Sequence, residues 1–277
     1  MSDGRPTAEI GVIGGSGLYA LLEGATAHEV STPFGAPSDP VTVAEVGGRR
    51  VAFLPRHGAD HRFPPHRIPY RANLWALRSL GVRQIIAPCA VGGLRPELGP
   101  GTFVVPDQLI DRTTGREQTF YDSGAVHVSF ADPYCPELGG VAVDAARDEG
   151  VTVHERGTVV VIQGPRFSTR AESRWFSSAG WEVVNMTQYP EAVLARELGI
   201  CYSGLALVTD YDAGAAPGGQ EEHGERAEAV TMEAVFRMLA ENIERVKGVL
   251  LRAIPAIPVT PSCGCAEGAM DPGSLPA

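Results

Sequence analysis

Short, unbroken runs of apolar and β-branched residues recur along the chain, each bounded by glycine or by polar residues. Runs of this length and composition are typical of strands that are buried on both faces of a sheet. The runs read EIGVIGG, VTVAEV, RRVAFLPRHG, RQIIAPCAVGG, GTFVVPDQLI, GTVVVIQGPRF, WEVVNMT and CYSGLALVTDYD. They predict a central sheet whose strands come from most of the length of the sequence.

Helical patterns, with apolar residues three or four positions apart, lie between these runs. In YRANLWALRSLG, Leu74, Leu77 and Leu80 fall near one helix face, and Gly81 suits the end of the helix. Similar patterns occur in GGVAVDAARDEG, in TQYPEAVLARELG and in TMEAVFRMLAENIERVKGVLLRAI. Strands that alternate with helices predict an α/β fold in which a central mixed β-sheet is flanked by helices.

The chain of 277 residues is predicted to form a single domain, because α/β enzymes of this size often do and no repeat or linker interrupts the pattern. We expect the core to run from about residue 9 to 257. Residues 213–228 are expected to form a long loop. Residues 258–277, rich in glycine, proline and serine, are expected to form a loose tail.

Charge and hydropathy exclude several classes of function. The net charge of −10 opposes binding to a nucleic-acid backbone or to an anionic membrane. No apolar stretch approaches the roughly 20 residues that span a bilayer, and the first residues lack the basic segment of a signal peptide. We therefore expect a cytoplasmic protein with no nucleic-acid partner and no membrane partner.

The five cysteines are scattered, which argues against a disulfide framework. Cys263 and Cys265 form the one closely spaced pair and lie in the predicted tail. A zinc site there needs two more ligands, and the nearest histidine, His223, lies in the predicted loop. We expect no metal site, and a reduced pair that contributes little to the fold.

A glycine-rich turn follows the first predicted strand. Gly15, Gly17 and Ala20 match the dinucleotide fingerprint G-x-G-x-x-G/A. A dinucleotide site also needs an acidic residue at the end of the second strand, where this chain has Arg56 and His57. Those side chains suit an anion. We therefore interpret the turn as a cradle for a single phosphate rather than for a nicotinamide cofactor.

Several segments of the chain form a set whose order and spacing are specific. They read IGVIGGSG, TPFGAPSD, PRHG, HRIPYRANLWAL, DQLIDRTTGREQTFYD, GPRFSTRAES, VVNMT and ALVTDYD. From about residue 9 to 257, the chain thereby resembles the 5′-methylthioadenosine phosphorylase family of the purine nucleoside phosphorylase superfamily. This resemblance implies a nucleoside phosphorylase-like fold that assembles as a homotrimer or a dimer of trimers. It also implies phosphate-dependent cleavage of 5′-methylthioadenosine to adenine and 5-methylthioribose 1-phosphate. Inorganic phosphate is then a co-substrate, and no metal or organic cofactor is needed.

The resemblance assigns the phosphate to residues from several strand ends. These residues are Ser16, Arg56, His57, Cys89, Ala90 and Thr187. Arg56 is expected to grip the phosphate through a bidentate contact, with a salt bridge as the alternative, and His57 has the alternative of a structural hydrogen bond. Cys89 departs from the family, which usually has a threonine at this position. A thiol is the poorer donor, and without an activating environment we do not expect it to be a nucleophile.

Asp210 and Asp212 follow an apolar strand and, two residues apart on an extended chain, face the same side. Their proximity is expected to raise the pKa of one carboxyl. By the resemblance, Asp210 is the catalytic acid that donates to purine N7, and Asp212 accepts from the exocyclic amine. A pair of turn-initiating aspartates is the alternative. A carboxyl at position 210 favours adenine over 6-oxopurines, for which relatives tend to carry asparagine there.

The resemblance places Met186 against the ribose, beside Asn185, with ordinary core packing as the alternative for this methionine. It places Phe167 on the face of the base, with Ser168 behind it. These assignments complete the predicted contacts to the base and the sugar.

A pocket for the 5′ substituent is assigned by the resemblance to the last helix and to a neighbouring subunit. The helix supplies Met232, Val235 and Phe236, and the neighbour supplies His127. Core packing is the alternative for the helix residues. Two other functions stay open: a phosphorylase of methylthioinosine, inosine or another 5′-substituted 5′-deoxyadenosine, and a nucleoside-binding protein without turnover.

Overall fold

Strands form the centre of the computed structural model, which describes residues 7–15, 24–124, 126–213, 229–267 and 269. The strands are β1 (Ile10–Gly14), β2 (Thr26–His28), β3 (Val41–Val46), β4 (Arg49–Pro55), β5 (Gln84–Gly93), β6 (Phe103–Val104), β7 (Gln108–Arg112), β8 (Val153–His154), β9 (Thr158–Ile162), β10 (Val183–Asn185) and β11 (Cys201–Tyr211). The helices are α1 (Tyr70–Ser79), α2 (Pro136–Asp148), α3 (Arg170–Ser178), α4 (Gln188–Glu197) and α5 (Met232–Ala256). Short 3₁₀ turns lie at Pro65–Arg67 and Gly264–Ala266.

These strands join one mixed sheet, which confirms the predicted fold class. Its main path runs β2-β3-β4-β1-β5-β10-β9-β7. Strand β11 pairs with β5 along the whole length of β5 and also with β6, which in turn pairs with β8. The pairs β1–β4, β1–β5 and β5–β11 are parallel, whereas β3–β4, β5–β10 and β6–β11 are antiparallel. Strand β5 is therefore the centre of the sheet.

Two large apolar clusters cover the two faces of the sheet around β1 and β5, and a third, smaller one packs β9 and β10 against α3. Along β1, Ile13 belongs to one cluster and Ile10 and Val12 to the other, because alternate residues of a strand point to opposite faces. Helices α1 and α4 contribute to the first cluster, and α2 and α5 to the second. This arrangement leaves the carboxyl ends of the parallel strands as the place where polar side chains meet.

Helix ends follow local signals in the sequence. Helix α1 is followed by Gly81, whose φ of 104° lies in the left-handed region that favours glycine, as predicted. Apolar periodicity does not reveal α3. That helix begins with a capping box, in which the Thr169 hydroxyl accepts from the Glu172 N–H and the Glu172 carboxylate accepts from the Thr169 N–H. In the sequence, the T-x-x-E spacing of Thr169 and Glu172 indicates the start of this helix.

The segment that follows α5 is packed against the body, so the prediction of a loose tail is wrong for its first ten residues. Gln84 donates to the Pro258 carbonyl at 2.7 Å. The Ser262 N–H and hydroxyl both donate to the Glu137 carboxylate, at 3.0 and 2.8 Å. Cys265 is only 3% exposed. The rest of the predicted tail, apart from Ala269, lies outside the described residues.

The tail brings its cysteine pair to two other cysteines. Cys135 at the start of α2, Cys201 at the start of β11, Cys263 and Cys265 have all four sulfur atoms within 4.8 Å of one another. We refer to these four residues as the cysteine cluster. Two thiols that are distant in sequence therefore lie beside the pair, so four possible ligands are present where the local sequence offers two.

In the part of the chain that the structure describes, no helix combines the length and apolar character needed to cross a bilayer. The predicted loop at 213–228 lies outside the described residues, except for Ala213.

Candidate active site

The strand register brings most of the predicted site residues to one edge of the sheet. Gly14 at the end of β1 lies opposite Pro55 at the end of β4, and Arg56 follows directly. On β5, Gly92 pairs with Val184 of β10 and with Asp210 of β11. The ends of β4, β5, β10 and β11 thus meet around β5, as expected for a ligand site in an open α/β sheet.

Arg56 is buried in an ion pair. Its Nε and Nη2 donate to the two oxygens of Glu191 at 2.7 and 2.8 Å, Nη2 also donates to the Ile13 carbonyl, and Nη1 donates to the Pro88 carbonyl. Burial disfavours the Arg56 cation, but the charge and hydrogen bonds of Glu191 outweigh burial and raise its pKa above the ordinary value.

Four of the five guanidinium N–H groups are therefore occupied. Glu191 fills the Nε–Nη2 fork that the predicted bidentate grip on phosphate would use, and the grip itself stays a prediction. One Nη1 N–H remains for an anion. The salt bridge that was the alternative for Arg56 is present, and it is internal rather than at the surface.

His57 is held as a neutral ring. Its Nδ1 lies 2.8 Å from the Phe63 carbonyl, and its ring stacks on His61 with centroids 4.5 Å apart. Burial lowers the pKa of His57 to about 4. A carbonyl only accepts, so Nδ1 carries the proton and Nε2 is an acceptor near neutral pH. The structural hydrogen bond that was the alternative for His57 is therefore present, and its role toward phosphate stays a prediction.

Asn185 ties the turn after β10 to β5. Its Oδ1 accepts from the N–H groups of Thr187 and Gln188 at 2.7 and 2.8 Å. Its Nδ2 donates to the Ala90 carbonyl at 3.0 Å. This side chain holds Thr187 beside Ala90, two positions that were both assigned to phosphate. The structure thus brings together Ala90, Asn185 and Thr187, as the sequence predicts.

Cys89 lies on β5 just before Ala90, and its sulfur accepts from Gln188 Nε2 at 3.1 Å. Burial raises the pKa of the Cys89 thiol to about 11. The thiol is therefore protonated near neutral pH, which agrees with the expectation that Cys89 is not a nucleophile. Gln188 is fully buried and accepts from the Tyr134 hydroxyl through its other amide atom.

Asp210 and Asp212 both approach Gly92. A Cβ atom at position 92 would lie 3.2 Å from Asp210 Oδ1 and 3.2 Å from the Asp212 Cβ, so glycine is what leaves room for both. Burial raises the pKa of Asp210 to about 6, with a further contribution from the charge of Asp212, while the Thr209 hydroxyl opposes the shift. The pKa of Asp210 is raised, as the sequence predicts, but burial rather than the proximity of Asp212 is the main cause, and burial raises the pKa of Asp212 as well.

Three buried polar atoms beside this pair have no hydrogen-bond partner among the described residues. They are Asp212 Oδ2, Ser168 Oγ and Ser173 Oγ. Burial raises the pKa of Asp212, although the nearby Ser173 and Ser168 hydroxyls act in the opposite direction. Unpartnered buried polar atoms are costly, so they mark a place where a polar ligand edge fits.

Met186 packs against the turn that contains Phe167. A Cβ atom at Gly164 would lie 2.6 Å from the Met186 sulfur. Arg116 joins the same two segments, because it donates to the carbonyls of Met186 at 2.9 Å and of Gln163 at 2.7 Å. Phe167 is half-buried and Ser168 is buried.

Arg116, Gln188 and Glu191 are site-forming residues that were not singled out from the sequence. Glu191 had the clearest signal: it stands in an otherwise apolar helical stretch, where a buried carboxylate requires a cation. Its partner Arg56 is 135 positions away, so the pairing itself was not visible.

The structure brings only some of the residues assigned to the 5′ pocket near the strand ends. Met232 is 64% exposed, which excludes core packing for it within this chain, while Val235 is half-buried. Phe236 contacts the His61 ring edge-on at 5.4 Å and so brings the start of α5 to the Arg56–His57 segment. His127 is exposed and makes no contact with the strand-end residues within the described chain. Ser16 lies outside the described residues.

Comparison with known proteins assigns the chain to a family. The model of the phosphorylase superfamily matches residues 9–252. An S-methyl-5′-thioadenosine phosphorylase of Mycolicibacterium smegmatis is 57% identical, covering 92% of this chain and 93% of the relative. A purine nucleoside phosphorylase of Streptomyces coelicolor is 54% identical, covering 96% of each.

Solved structures agree with the sequence relatives. A methylthioadenosine phosphorylase from an antarctic soil metagenomic library has a TM-score of 0.83 at 42% identity, covering 91% of this chain and 87% of that one. The methylthioadenosine phosphorylase of Schistosoma mansoni in complex with tubercidin has a TM-score of 0.82 at 37% identity, covering 90% and 92%. On the agreement of its sheet, its strand-end residues and these relatives, this chain belongs to the phosphorylase superfamily.

Proposed function

We propose that this protein catalyses the phosphorolysis of 5′-methylthioadenosine to adenine and 5-methylthioribose 1-phosphate. The observation that carries the proposal is the carboxyl pair at the end of β11, which flanks Gly92 and includes one carboxyl with a raised pKa. The relative with 57% identity that is named S-methyl-5′-thioadenosine phosphorylase supports the choice of substrate.

Phosphate would be held beside the turn after β10. The donors there are the remaining Nη1 N–H of Arg56 and the Thr187 hydroxyl, which would turn to phosphate from its long, 3.3 Å bond to Asn185 Oδ1. The Arg56–Glu191 pair is close to neutral overall, so Arg56 contributes a directed hydrogen bond more than a net charge. Ser16 is the further donor that we propose from the family resemblance. These donors orient one phosphate oxygen toward C1′ of the sugar.

Departure of the base needs a proton. As the C1′–N9 bond breaks, its electron pair moves into the purine, and protonation at N7 stabilises the leaving group. Asp210 has a pKa of about 6 and supplies this proton, and the carboxylate of Asp212 accepts from the 6-amino group. The sugar C1′ becomes electron-poor, and the phosphate oxygen forms the new C1′–O bond. Met186 lies on the sugar side, where its polarisable sulfur suits such a centre.

The reacting groups are thus a phosphate nucleophile and a side-chain acid, and we propose that neither a metal ion nor an organic cofactor takes part in this step. We further propose a homotrimer or a dimer of trimers, in which His127 completes the 5′ pocket of a neighbouring subunit. The exposed Met232 and Val126 support this arrangement, because they leave apolar surface next to segments assigned to that pocket.

Purine nucleoside phosphorolysis with a 6-oxopurine is the second candidate, because a relative of 54% identity is named purine nucleoside phosphorylase. The two candidates differ at position 210. A protonated carboxyl there fits the acceptor N7 of an aminopurine, with Asp212 free to accept from the amine. An asparagine better matches the carbonyl and N1–H of hypoxanthine.

The test compares kcat/KM for methylthioadenosine, adenosine, inosine and methylthioinosine at saturating phosphate, in the wild type and in Asp210→Asn. We expect the wild type to prefer methylthioadenosine and the variant to shift its preference toward the 6-oxopurines. A wild type that prefers inosine would support the second candidate. If the ratio of kcat/KM for aminopurine nucleosides to kcat/KM for 6-oxopurine nucleosides is the same in the variant as in the wild type, Asp210 does not contact the base.

A further inference from the structure

Four of the five cysteines meet at one place, although they come from three distant parts of the chain. The cysteine cluster comprises Cys135, Cys201, Cys263 and Cys265, and three of the four side chains are buried while Cys263 is half-buried. Among the described residues, no histidine or carboxylate shares the cluster. The site is separate from the candidate active site, because Cys201 begins β11 and Asp210 lies roughly 30 Å further along that strand.

The sulfur positions match a tetrahedral metal site. The Cys263 sulfur lies 3.5 Å from that of Cys135 and 3.3 Å from that of Cys201, and no pair of ligand sulfurs in the cluster exceeds 4.8 Å. Zinc–sulfur bonds of about 2.3 Å in a tetrahedron place the sulfurs about 3.8 Å apart. The sulfur–sulfur bond of a disulfide is about 2.05 Å long, which is shorter than either distance from Cys263. Cys263 thus lies near ligand spacing from Cys135 and Cys201, and the four sulfurs are close enough together for one ion to contact all of them.

The surroundings suit negatively charged sulfur. Cys135 caps the start of α2, and its sulfur accepts from the Leu138 N–H at 3.4 Å. The positive end of the α2 dipole and this N–H are the kind of support that thiolate ligands receive from around a metal. Glu137 in the first turn of α2 binds Ser262, which fixes the tail one residue before Cys263.

We propose that the cysteine cluster binds one Zn²⁺, which fastens the segment after α5 to the starts of α2 and β11. The ion replaces the four thiol protons, which are released to solvent, and no electrons are transferred. Four thiolates and no open position make this a structural rather than a catalytic centre. The ligands are soft sulfur atoms, which select zinc over magnesium or calcium. This site lies outside the proposed phosphorolysis and does not depend on it.

The test uses the full chain, expressed with zinc and purified under reducing conditions without chelator. Zinc is measured by inductively coupled plasma mass spectrometry in the wild type, in Cys263→Ser with Cys265→Ser, and in Cys89→Ser as the matched cysteine control. We expect about one zinc per chain in the wild type and in Cys89→Ser, and at least a tenfold loss in the double variant.

A second measurement keeps the proposal testable if the double variant does not fold. The wild type is exchanged with Co²⁺, whose tetrahedral tetrathiolate complex gives intense visible d–d bands and sulfur-to-metal charge transfer, and Cys89→Ser must give the same spectrum. Substoichiometric zinc together with a cobalt spectrum lacking these bands would overturn the proposal. So would an intact mass, measured without reductant on protein purified as above, that is lower by four hydrogens, because two disulfides would then occupy the cluster.

Discussion

The environment of Asp210 explains how this carboxyl keeps its proton closer to neutral pH than an ordinary aspartate does. Asp210 sits among buried groups beside the charge of Asp212, and its pKa rises to about 6. An ordinary surface aspartate is ionised at that pH. Gly92 is what permits this crowding, because any side chain there would meet both aspartates. Burial beside Gly92 thus raises the pKa of this carboxyl.

The first prediction concerns the pH dependence of turnover. If Asp210 must be protonated, kcat/KM for methylthioadenosine at saturating phosphate falls as the pH rises above about 6. In Asp210→Asn we expect kcat/KM to lose this decrease with rising pH, and to be lower than in the wild type by on the order of 10²–10⁴-fold at low pH. A steady-state profile from pH 5 to 9 checks both. If the variant keeps the decrease of kcat/KM that the wild type shows above about pH 6, a group other than Asp210 causes it.

The second prediction concerns stability. Asp210 holds its proton more tightly when folded, with a pKa of about 6 against an ordinary 3.8, so the free energy of unfolding falls as the pH rises from about 4 to about 6. Above that window the charged carboxylate costs up to about 3 kcal/mol, less where solvent screens it. Asp210→Asn removes that cost. Its stability relative to the wild type therefore increases across this pH window.

Urea unfolding at pH 4.5 and pH 8 measures that difference. Asp148→Asn, at an exposed position at the end of α2, is the matched control and should change little between the two pH values. A stability difference between Asp210→Asn and the wild type that is the same at both pH values would contradict the assignment of a raised pKa.

Among the secondary-structure elements, α4 and the turn before it organise the residues that we propose for phosphate binding. Asn185 bridges this turn to β5, and Glu191 anchors Arg56 at the end of β4. Tyr202 of β11 also donates to Glu191 at 2.7 Å. Three strands and a helix are therefore fixed to one another by buried polar side chains next to the site.

The third prediction tests the buried pair. In Glu191→Gln the Arg56 cation loses its counter-charge, and we expect a loss of about 3–5 kcal/mol in the free energy of unfolding. Arg56→Met combined with Glu191→Leu leaves no unpaired charge and should recover part of this loss. Glu197→Gln on the same helix, whose carboxylate binds Thr119 and the Phe120 N–H rather than a cation, is the control and should cost less. Denaturant titrations compare the four proteins. Equal losses in Glu191→Gln and Glu197→Gln would show that the charge pairing contributes nothing.

The fourth prediction tests the bridge from Asn185. Asn185→Asp keeps the oxygen that accepts from Thr187 but loses the donor to Ala90 and adds a negative charge beside the proposed phosphate position. We expect the KM for phosphate to rise by about tenfold or more, with the KM for the nucleoside changing much less. Initial rates with each substrate varied in turn give both constants. A rise confined to the nucleoside KM would place this turn on the sugar instead.

Elements with a strong local signal were predictable from the sequence, and contacts between distant residues were not. The strand runs, the end of α1 at Gly81 and the Asp210–Asp212 pair each lie within a few residues, so apolar pattern and turn chemistry reveal them. The Arg56–Glu191 pair and the cysteine cluster depend on tertiary packing. The composition of the segment after α5 gave a wrong prediction. Its glycine and proline content is typical of loose segments, but Ser262 is hydrogen-bonded to Glu137 and Cys265 is buried.

For the whole molecule, the open question is the assembly, because Met232 and His127, which we propose for the 5′ pocket, are both exposed in the described chain. The fifth prediction is that the active species is a trimer or a dimer of trimers. Light scattering coupled to size exclusion should give that mass, and specific activity should fall on dilution below the assembly constant. His127→Ala should raise the KM for methylthioadenosine while leaving the KM for phosphate nearly unchanged. A fully active monomer would contradict this.

In the proposed reaction, phosphate rather than water attacks the sugar. Methylthioadenosine is incubated with the enzyme in phosphate and in phosphate-free buffer, with adenine followed by chromatography and phosphorus followed by ³¹P NMR. We expect adenine and a sugar 1-phosphate to form in equal amounts, and adenine release to stop when phosphate is absent. Undiminished release of adenine without phosphate, with free methylthioribose as the other product, would contradict the account.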